Sequence, residues 1–246
     1  MSSSTERRTD GRGRTTGSVL SGLAVAVGCV LFLGGFVWAA LIYRPYTVPT
    51  DSMSPTIAVG ARVLAEKVDG AEIRRGDIVV FKDKAWGQLP MVKRVVGVGG
   101  DTIACCTKQG RLTINGKPVE EPYLHGNGPA SPVGFRSTKV PAGQLFLLGD
   151  HRSDSLDSRV HLADGDRGAV PRSAVQARVD ARAWPLSGIG VMERPSSFAS
   201  LPGGVSQPGP VRPLALAVVA GAVLVLGGAA YGPIARRRTR KARSHD

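Results

Sequence analysis

The chain has 246 residues, 42% hydrophobic and 21% charged, with a formal net charge of +13, which is room for one ordinary domain plus appendages. Ten of its 32 basic residues lie in two short tails beside three acids, so the tails hold +7 of that charge. The remainder carries no basic stripe interleaved with aromatics, which speaks against nucleic acid as a partner.

Residues 1–17 are Ser, Thr, Arg and Gly with nothing to bury, and are expected to be a disordered cytoplasmic tail. No residue between Arg14 and Arg44 is charged. Residues 18–43 therefore read as a transmembrane helix, since about 20 apolar residues cross the hydrocarbon core. Trp38 and Tyr43 are placed for the outer interface, where amphipathic rings collect. The competing reading is a cleaved secretory signal ending near Val37-Trp38-Ala39. Its apolar run would exceed the usual ~7–15 residues of a signal core, which favours an uncleaved anchor.

Residues 44–194 read as an extracytoplasmic domain, mostly β. Arg62 to Val68, Asp77 to Lys82, Met91 to Val98 and Asp101 to Thr107 are short runs rich in β-branched residues. Leu112-Thr113-Ile114 meets Asn115-Gly116 ahead of Lys117-Pro118-Val119, a strong hairpin signal. Gln144 to Leu148 and Val175 to Trp184 complete a compact, partly closed β fold. Residues 195–213, rich in Pro, Ser and Gly, are expected to be a flexible linker. Residues 214–231 are uncharged and read as a second transmembrane helix, against the alternative of a buried helix in a soluble domain. A basic tail, 232–246, follows. Basic flanks at both ends predict two spans with both termini cytoplasmic.

Cys29 falls in the first span, whereas Cys105 and Cys106 are adjacent in the oxidising outer setting. A vicinal disulfide and an intermolecular bond are both open to them. Neither the cysteines nor His125, His151, His161 and His245 have metal-ligand spacing, so no metal and no cofactor are expected.

Chemistry centres on Thr50-Asp51-Ser52-Met53-Ser54-Pro55-Thr56, just past the first span, and on Val92-Lys93-Arg94-Val95-Val96-Gly97. A serine hydroxyl becomes a useful nucleophile only when a base takes its proton. Lysine, with a reference pKa of about 10.4, serves as that base only where the site disfavours its ammonium. Apolar burial does so, and Met91, Val92, Val95 and Val96 flank Lys93. Taken alone, Lys93 and Arg94 equally read as a solvated pair on a strand edge.

Two further stretches bear on the choice: Arg74-Arg75-Gly76-Asp77 ahead of an apolar strand, and Gly149-Asp150-His151-Arg152-Ser153-Asp154-Ser155-Leu156-Asp157-Ser158-Arg159 behind one. In this order, the four segments resemble the bacterial type I signal peptidases, membrane-anchored serine–lysine enzymes that remove signal peptides. The resemblance covers about Tyr46 to Pro185 plus the preceding anchor. It implies Ser52 as nucleophile and Lys93 as general base. The Ser52 N–H and the Thr50 hydroxyl would form the oxyanion hole, and Ser155 would hydrogen-bond and orient the base. Asp157 with Arg159 would form an ion pair behind the site, with Asp150 and Arg152 bracing the loop. The chain departs from the family pattern at Thr50 for serine, Asp51 for glycine, His151 for asparagine and Gly99 for proline. Strand alternation predicts that Asp51 points away from Ser52.

The implied substrate is the extended, small-residue cleavage region of a signal peptide in an exported preprotein. It would add as a strand to free edges at Tyr46 to Thr50 and Leu89 to Val92. Tyr46, Val48, Leu89 and Val92 are the candidate binding residues, with Ile57 and Val95 as pocket walls. A membrane-tethered β-domain scaffold or receptor without catalysis is the alternative. Self-cleaving repressor domains of similar fold and a cysteine transpeptidase fit less well.

Overall fold

The computed structural model describes residues 12–87, 89–124 and 129–242, so His125, most of the expected disordered tail and the last four residues lie outside it. Two compact units divide the chain: the two long helices with their flanks, and Ile42–Gly209.

Helix α1, Arg12–Ile42, and helix α2, Val211–Ala242, make up the first unit. Val19–Ile42 and Val211–Tyr231 are long and apolar enough to cross a membrane. The helices pack antiparallel through small residues. The Ser21 hydroxyl donates to the Gly228 carbonyl at 2.7 Å, and a Cβ on Gly28 would strike the Gly221 carbonyl. Such residues let two backbones approach closely without a side-chain spacer.

The second unit is built on strands β1 (Tyr43–Thr47), β2 (Arg62–Glu66), β3 (Ile78–Phe81), β4 (Met91–Val98), β5 (Thr102–Cys105), β6 (Leu112–Ile114) and β7 (Lys117–Pro118). They are followed by β8 (Phe135–Lys139), β9 (Gln144–Leu148), β10 (Ala169–Pro171), β11 (Val175–Trp184) and β12 (Gly190–Val191). An eight-stranded antiparallel sheet has the order β1-β2-β11-β3-β4-β9-β10, with β12 beside β11; a smaller sheet runs β7-β6-β5-β8. Asn115 and Gly116, both at positive φ, make the turn between β6 and β7. These two residue types tolerate that region best.

Register shifts in β11 and β4 interrupt the main ladder. Bulges of this kind sharpen local twist. The sheet curls over an apolar cluster that includes Val48, Met53, Ile57, Val63, Val80 and Val179. Residues just after β1 are thereby brought against β4, although β2, β11 and β3 separate the two strands in the sheet.

Two expectations are corrected. Tyr43 is not an interface anchor: it opens β1, is buried, and its hydroxyl donates to Asp180 at 3.1 Å. Residues 195–213 are not a loose linker throughout. Phe198 is fully buried with Ile103, Phe146 and Leu148, and Leu201 packs beside it. Ser206 donates to Asp77, and Arg75 donates to the Pro202 carbonyl at 2.6 Å. Two apolar residues three apart sufficed to seat a segment whose composition suggested slack. Phe198→Ala is expected to destabilise this unit by about 3–5 kcal/mol, the usual cost of emptying an aromatic site. Thermal unfolding of the full chain checks this; an unshifted midpoint would restore the flexible linker.

Candidate active site

Ser52 lies in the turn between β1 and β2. Met53 and Ile57, four residues apart and fully buried, fasten that turn to the core, with the Ile57 N–H donating to the Met53 carbonyl at 2.8 Å. Lys93 stands midway along β4, which is covered on both faces. That burial answers the solvated-pair reading. Alternation sends Lys93 to one face and Arg94 to the other, and both are buried.

The Lys93 ammonium nitrogen Nζ is 2.8 Å from Ser52 Oγ, and Thr50 Oγ1 is 3.2 Å from the same oxygen. Burial pushes the Lys93 pKa down from its ordinary value. The carboxylates of Asp157 and Asp150 oppose that shift, and the Arg159 guanidinium supports it. Each carboxylate is forked to an arginine: Asp157 to Arg159 at 2.8 and 2.7 Å, Asp150 to Arg94 at 2.8 and 2.7 Å. The Arg159 guanidinium, forked onto Asp157, thus offsets part of the pull that the two acids exert on Lys93. No hydrogen bond uses the Ser52 N–H among the described residues.

The loop after β9 closes the site. The Asp157 carboxylate accepts from the Gly149 N–H at 3.0 Å. A Cβ at Gly149 would run into Ser155 Oγ and the Ser52 carbonyl, so only glycine fits there. Ser155 Oγ is buried beside it and makes no hydrogen bond among the described residues; its expected bond to Lys93 is not formed. Asp150 and Arg152 do not pair with each other. Arg152 forks onto Glu121 at 2.9 and 2.6 Å and donates to the Gly149 and Ala130 carbonyls. Arg94 also lies 3.9 Å from the centre of the Tyr123 ring.

Glu121, Tyr123 and Arg94 were not singled out in the sequence as parts of the site. The apolar residues on both sides of Arg94 along β4 were the signal that could have marked it as a second buried cation. Asp51 sits in a turn instead of a strand, so alternation does not set its direction. Its carboxylate lies 3.2 Å from His151 Nδ1.

Tyr46 and Val92 are half-buried against the cluster that holds Val48, Met53 and Ile57. Val48, Ile57 and Val95 are fully covered and underlie surfaces instead of lining them, while Leu89 is exposed ahead of β4. Beyond β2, no other strand pairs with Tyr46–Thr47 of β1 among the described residues. Strand β4 is interior, yet β9 begins its pairing only at Arg94, leaving one side of Met91–Lys93 without a strand partner among the described residues. Cys105 and Cys106 form a disulfide in β5 and the residue after it.

A family described as "Signal peptidase, peptidase S26" matches residues 19–184. A probable signal peptidase I of Mycobacterium leprae is 31% identical over 209 residues, covering 62% of this chain and 72% of its own. Signal peptidase I of Leptolyngbya laminosa is 35% identical over 162 residues (61% and 73%). That of Bacillus licheniformis is 38% identical over 156 residues (60% and 81%). A crystal structure of a signal peptidase I from Enterococcus faecalis superposes at a TM-score of 0.35 with 26% identity, over 43% of this chain and 94% of that one. That superposition is too loose to argue from.

Proposed function

Because the chain belongs to the signal peptidase family, peptidase S26, we propose that it is a membrane-bound serine endopeptidase cutting signal peptides from exported preproteins at small-x-small sites. The observation that carries this is the buried Lys93 amine 2.8 Å from the Ser52 hydroxyl. Neutral Lys93 takes the Ser52 proton as Oγ attacks the scissile carbonyl. The oxyanion that forms is held by the Ser52 N–H and the Thr50 hydroxyl. As the peptide C–N bond breaks, the Lys93 ammonium gives its proton to the leaving amine. A water deprotonated by Lys93 then hydrolyses the acyl-enzyme.

Several features support each part. The outer side of Tyr46–Thr47 and the side of Met91–Lys93 that no strand covers among the described residues suit an extended peptide held by main-chain bonds. Tyr46 and Val92, half-buried against one apolar cluster, suit small apolar side chains. Ser155, next to Gly149, is a candidate to orient Lys93 once substrate displaces the resting contacts. Two apolar helices and basic flanks favour two spans with both termini cytoplasmic, keeping the site at the outer membrane surface.

The test is cleavage of a preprotein with an Ala-x-Ala site by the purified full-length enzyme, the product's new N-terminus being read by mass spectrometry. Cleavage after the second Ala by the wild type, absent in Ser52→Ala, is expected; cleavage by both would remove Ser52 as nucleophile. Thr50→Val is expected to lower kcat by about 10²-fold, the usual loss of one oxyanion donor, with Thr50→Ser close to wild type. Equal losses in both variants would assign Thr50 a packing role.

A further inference from the structure

Glu121 is a buried acid on the connection that leaves β7. Two residues before it, Val119 is covered by the core and donates its N–H to the Leu112 carbonyl at 2.9 Å, so the segment is pinned before Glu121 is reached. The Glu121 side chain is 3% exposed, and that of Arg152, its forked partner, 5%. Both carboxylate oxygens are occupied. Oε2 accepts from Arg152 Nη1 at 2.9 Å; Oε1 accepts from Arg152 Nη2 at 2.6 Å and from the Tyr123 hydroxyl at 2.5 Å. Among the described residues no other carboxylate pairs with Arg152.

Through Arg152 this anchorage reaches the nucleophile. Arg152 Nε donates to the Gly149 carbonyl at 2.9 Å, and Nη1 also donates to the Ala130 carbonyl at 2.7 Å. The Gly149 N–H is taken by Asp157, so Gly149 is gripped at both of its polar atoms. A Cβ there would overlap Ser155 Oγ and the Ser52 carbonyl, so any shift of Gly149 is passed to both. The next residue, Asp150, is held by Arg94, whose guanidinium lies 3.9 Å from the centre of the Tyr123 ring. Glu121 and Tyr123, two apart, thus support both cations that grip Gly149 and Asp150. Stability alone is a weak reason for such a pair, since apolar residues of similar volume often replace a buried ion pair without cost. A forked guanidinium does what apolar residues cannot: its planar geometry fixes the direction from which Nε meets the Gly149 carbonyl.

We propose that Glu121 is a positioning residue of the active site: by fixing the Arg152 guanidinium it sets Gly149 against Ser155 and the Ser52 carbonyl, and with them the approach of Ser52 Oγ to Lys93. This rests on the signal-peptidase reading and adds to it a residue from the connection after β7. Glu121→Gln removes the charge and is expected to lower kcat by about 10²-fold, the cost of a ~1 Å displacement passed on from outside the chemistry. Glu121→Asp keeps the charge but draws it back by one methylene, and a loss of about tenfold is expected. KM should change little, because Gly149 touches the nucleophile's turn and not the strand edges that suit the peptide.

The experiment measures kcat and KM of the full-length enzyme in detergent on an Ala-x-Ala preprotein, with thermal unfolding of every variant. The variants are Glu121→Asp, Glu121→Gln, Arg152→Met and each Glu121 change combined with Arg152→Met. Assays run well below the lowest unfolding midpoint, so loss of folded enzyme does not enter kcat. Each Glu121 change should lower kcat alone, yet cost no more than about twofold further once Arg152 is methionine, as for groups that act as a unit. Glu121→Gln/Arg152→Met should regain stability over Glu121→Gln without regaining activity. Should Glu121→Gln not fold, Glu121→Asp, which retains the charge, carries the cycle. Wild-type kcat in Glu121→Asp, a loss confined to KM, losses that multiply in the combined variants, or kcat recovering with stability would each overturn the positioning role. Failure of the wild type to cut the preprotein would instead overturn the signal-peptidase reading, and this inference with it.

Discussion

Replacing Lys93 with methionine is expected to abolish cleavage, by ~10³-fold or more, while leaving the β domain at least as stable as before. Methionine keeps the length and apolar body of the side chain and loses only the amine that receives the Ser52 proton. Loss of a general base costs about 10²–10⁴-fold, and groups that act as a unit fail together. Stability follows a different rule. Burial disfavours the ammonium and holds the folded pKa below the ordinary 10.5, so carrying that charge inside costs free energy. The sign is fixed by linkage: below the folded pKa the full penalty is present, and it fades as pH rises, vanishing above the unfolded value. The wild type should therefore gain stability relative to Lys93→Met with rising pH, and lose it as pH falls through the folded pKa. In the active enzyme kcat/KM should rise with pH along the deprotonation of Lys93, with a midpoint below that of free lysine. Turnover by Lys93→Met, or a midpoint at the ordinary lysine value, would remove the serine–lysine mechanism.

Asp150→Leu is expected to destabilise the fold by about 3–5 kcal/mol, because it strands the Arg94 guanidinium without its counter-charge. Arg94 is 1% exposed, and among the described residues its fork onto Asp150 is supported only by the Gly76 carbonyl and the Tyr123 ring. Burial works against its charge, and Asp150 outweighs that. For a domain of this size the change corresponds to a fall of roughly 6–20 °C in Tm. The double variant Arg94→Met/Asp150→Leu should recover much of the loss, since an apolar pair of similar volume often replaces a buried ion pair without cost. Additive losses in the double-mutant cycle would show that the pair is not the source. Activity should fall with stability in the single variant, because Asp150 lies between Gly149 and His151, whose N–H groups bond Asp157 and the Ser52 carbonyl.

Local chemistry was sufficient to read much of the molecule from the chain. Two uncharged runs gave the two apolar helices, runs rich in β-branched residues gave β2 to β6, β9 and β11, and Asn115-Gly116 gave its turn. Four short segments in order gave the family and, through that resemblance, the roles proposed for Ser52 and Lys93. Each of these is set by residues near one another in sequence, where hydropathy, turn propensity and motif spacing operate. What only the tertiary structure decided depends on long-range closure. The curl of the sheet sets Ser52 against Lys93, 41 positions apart, and puts Glu121 on Arg152 and Arg94 on Asp150. It draws Phe198 into the core of a segment that composition had marked as slack. Asp51 and His151, each read separately as a departure, meet across 100 positions. A buried charge selects its partner by proximity after folding, and no periodicity along the chain records which partner that is.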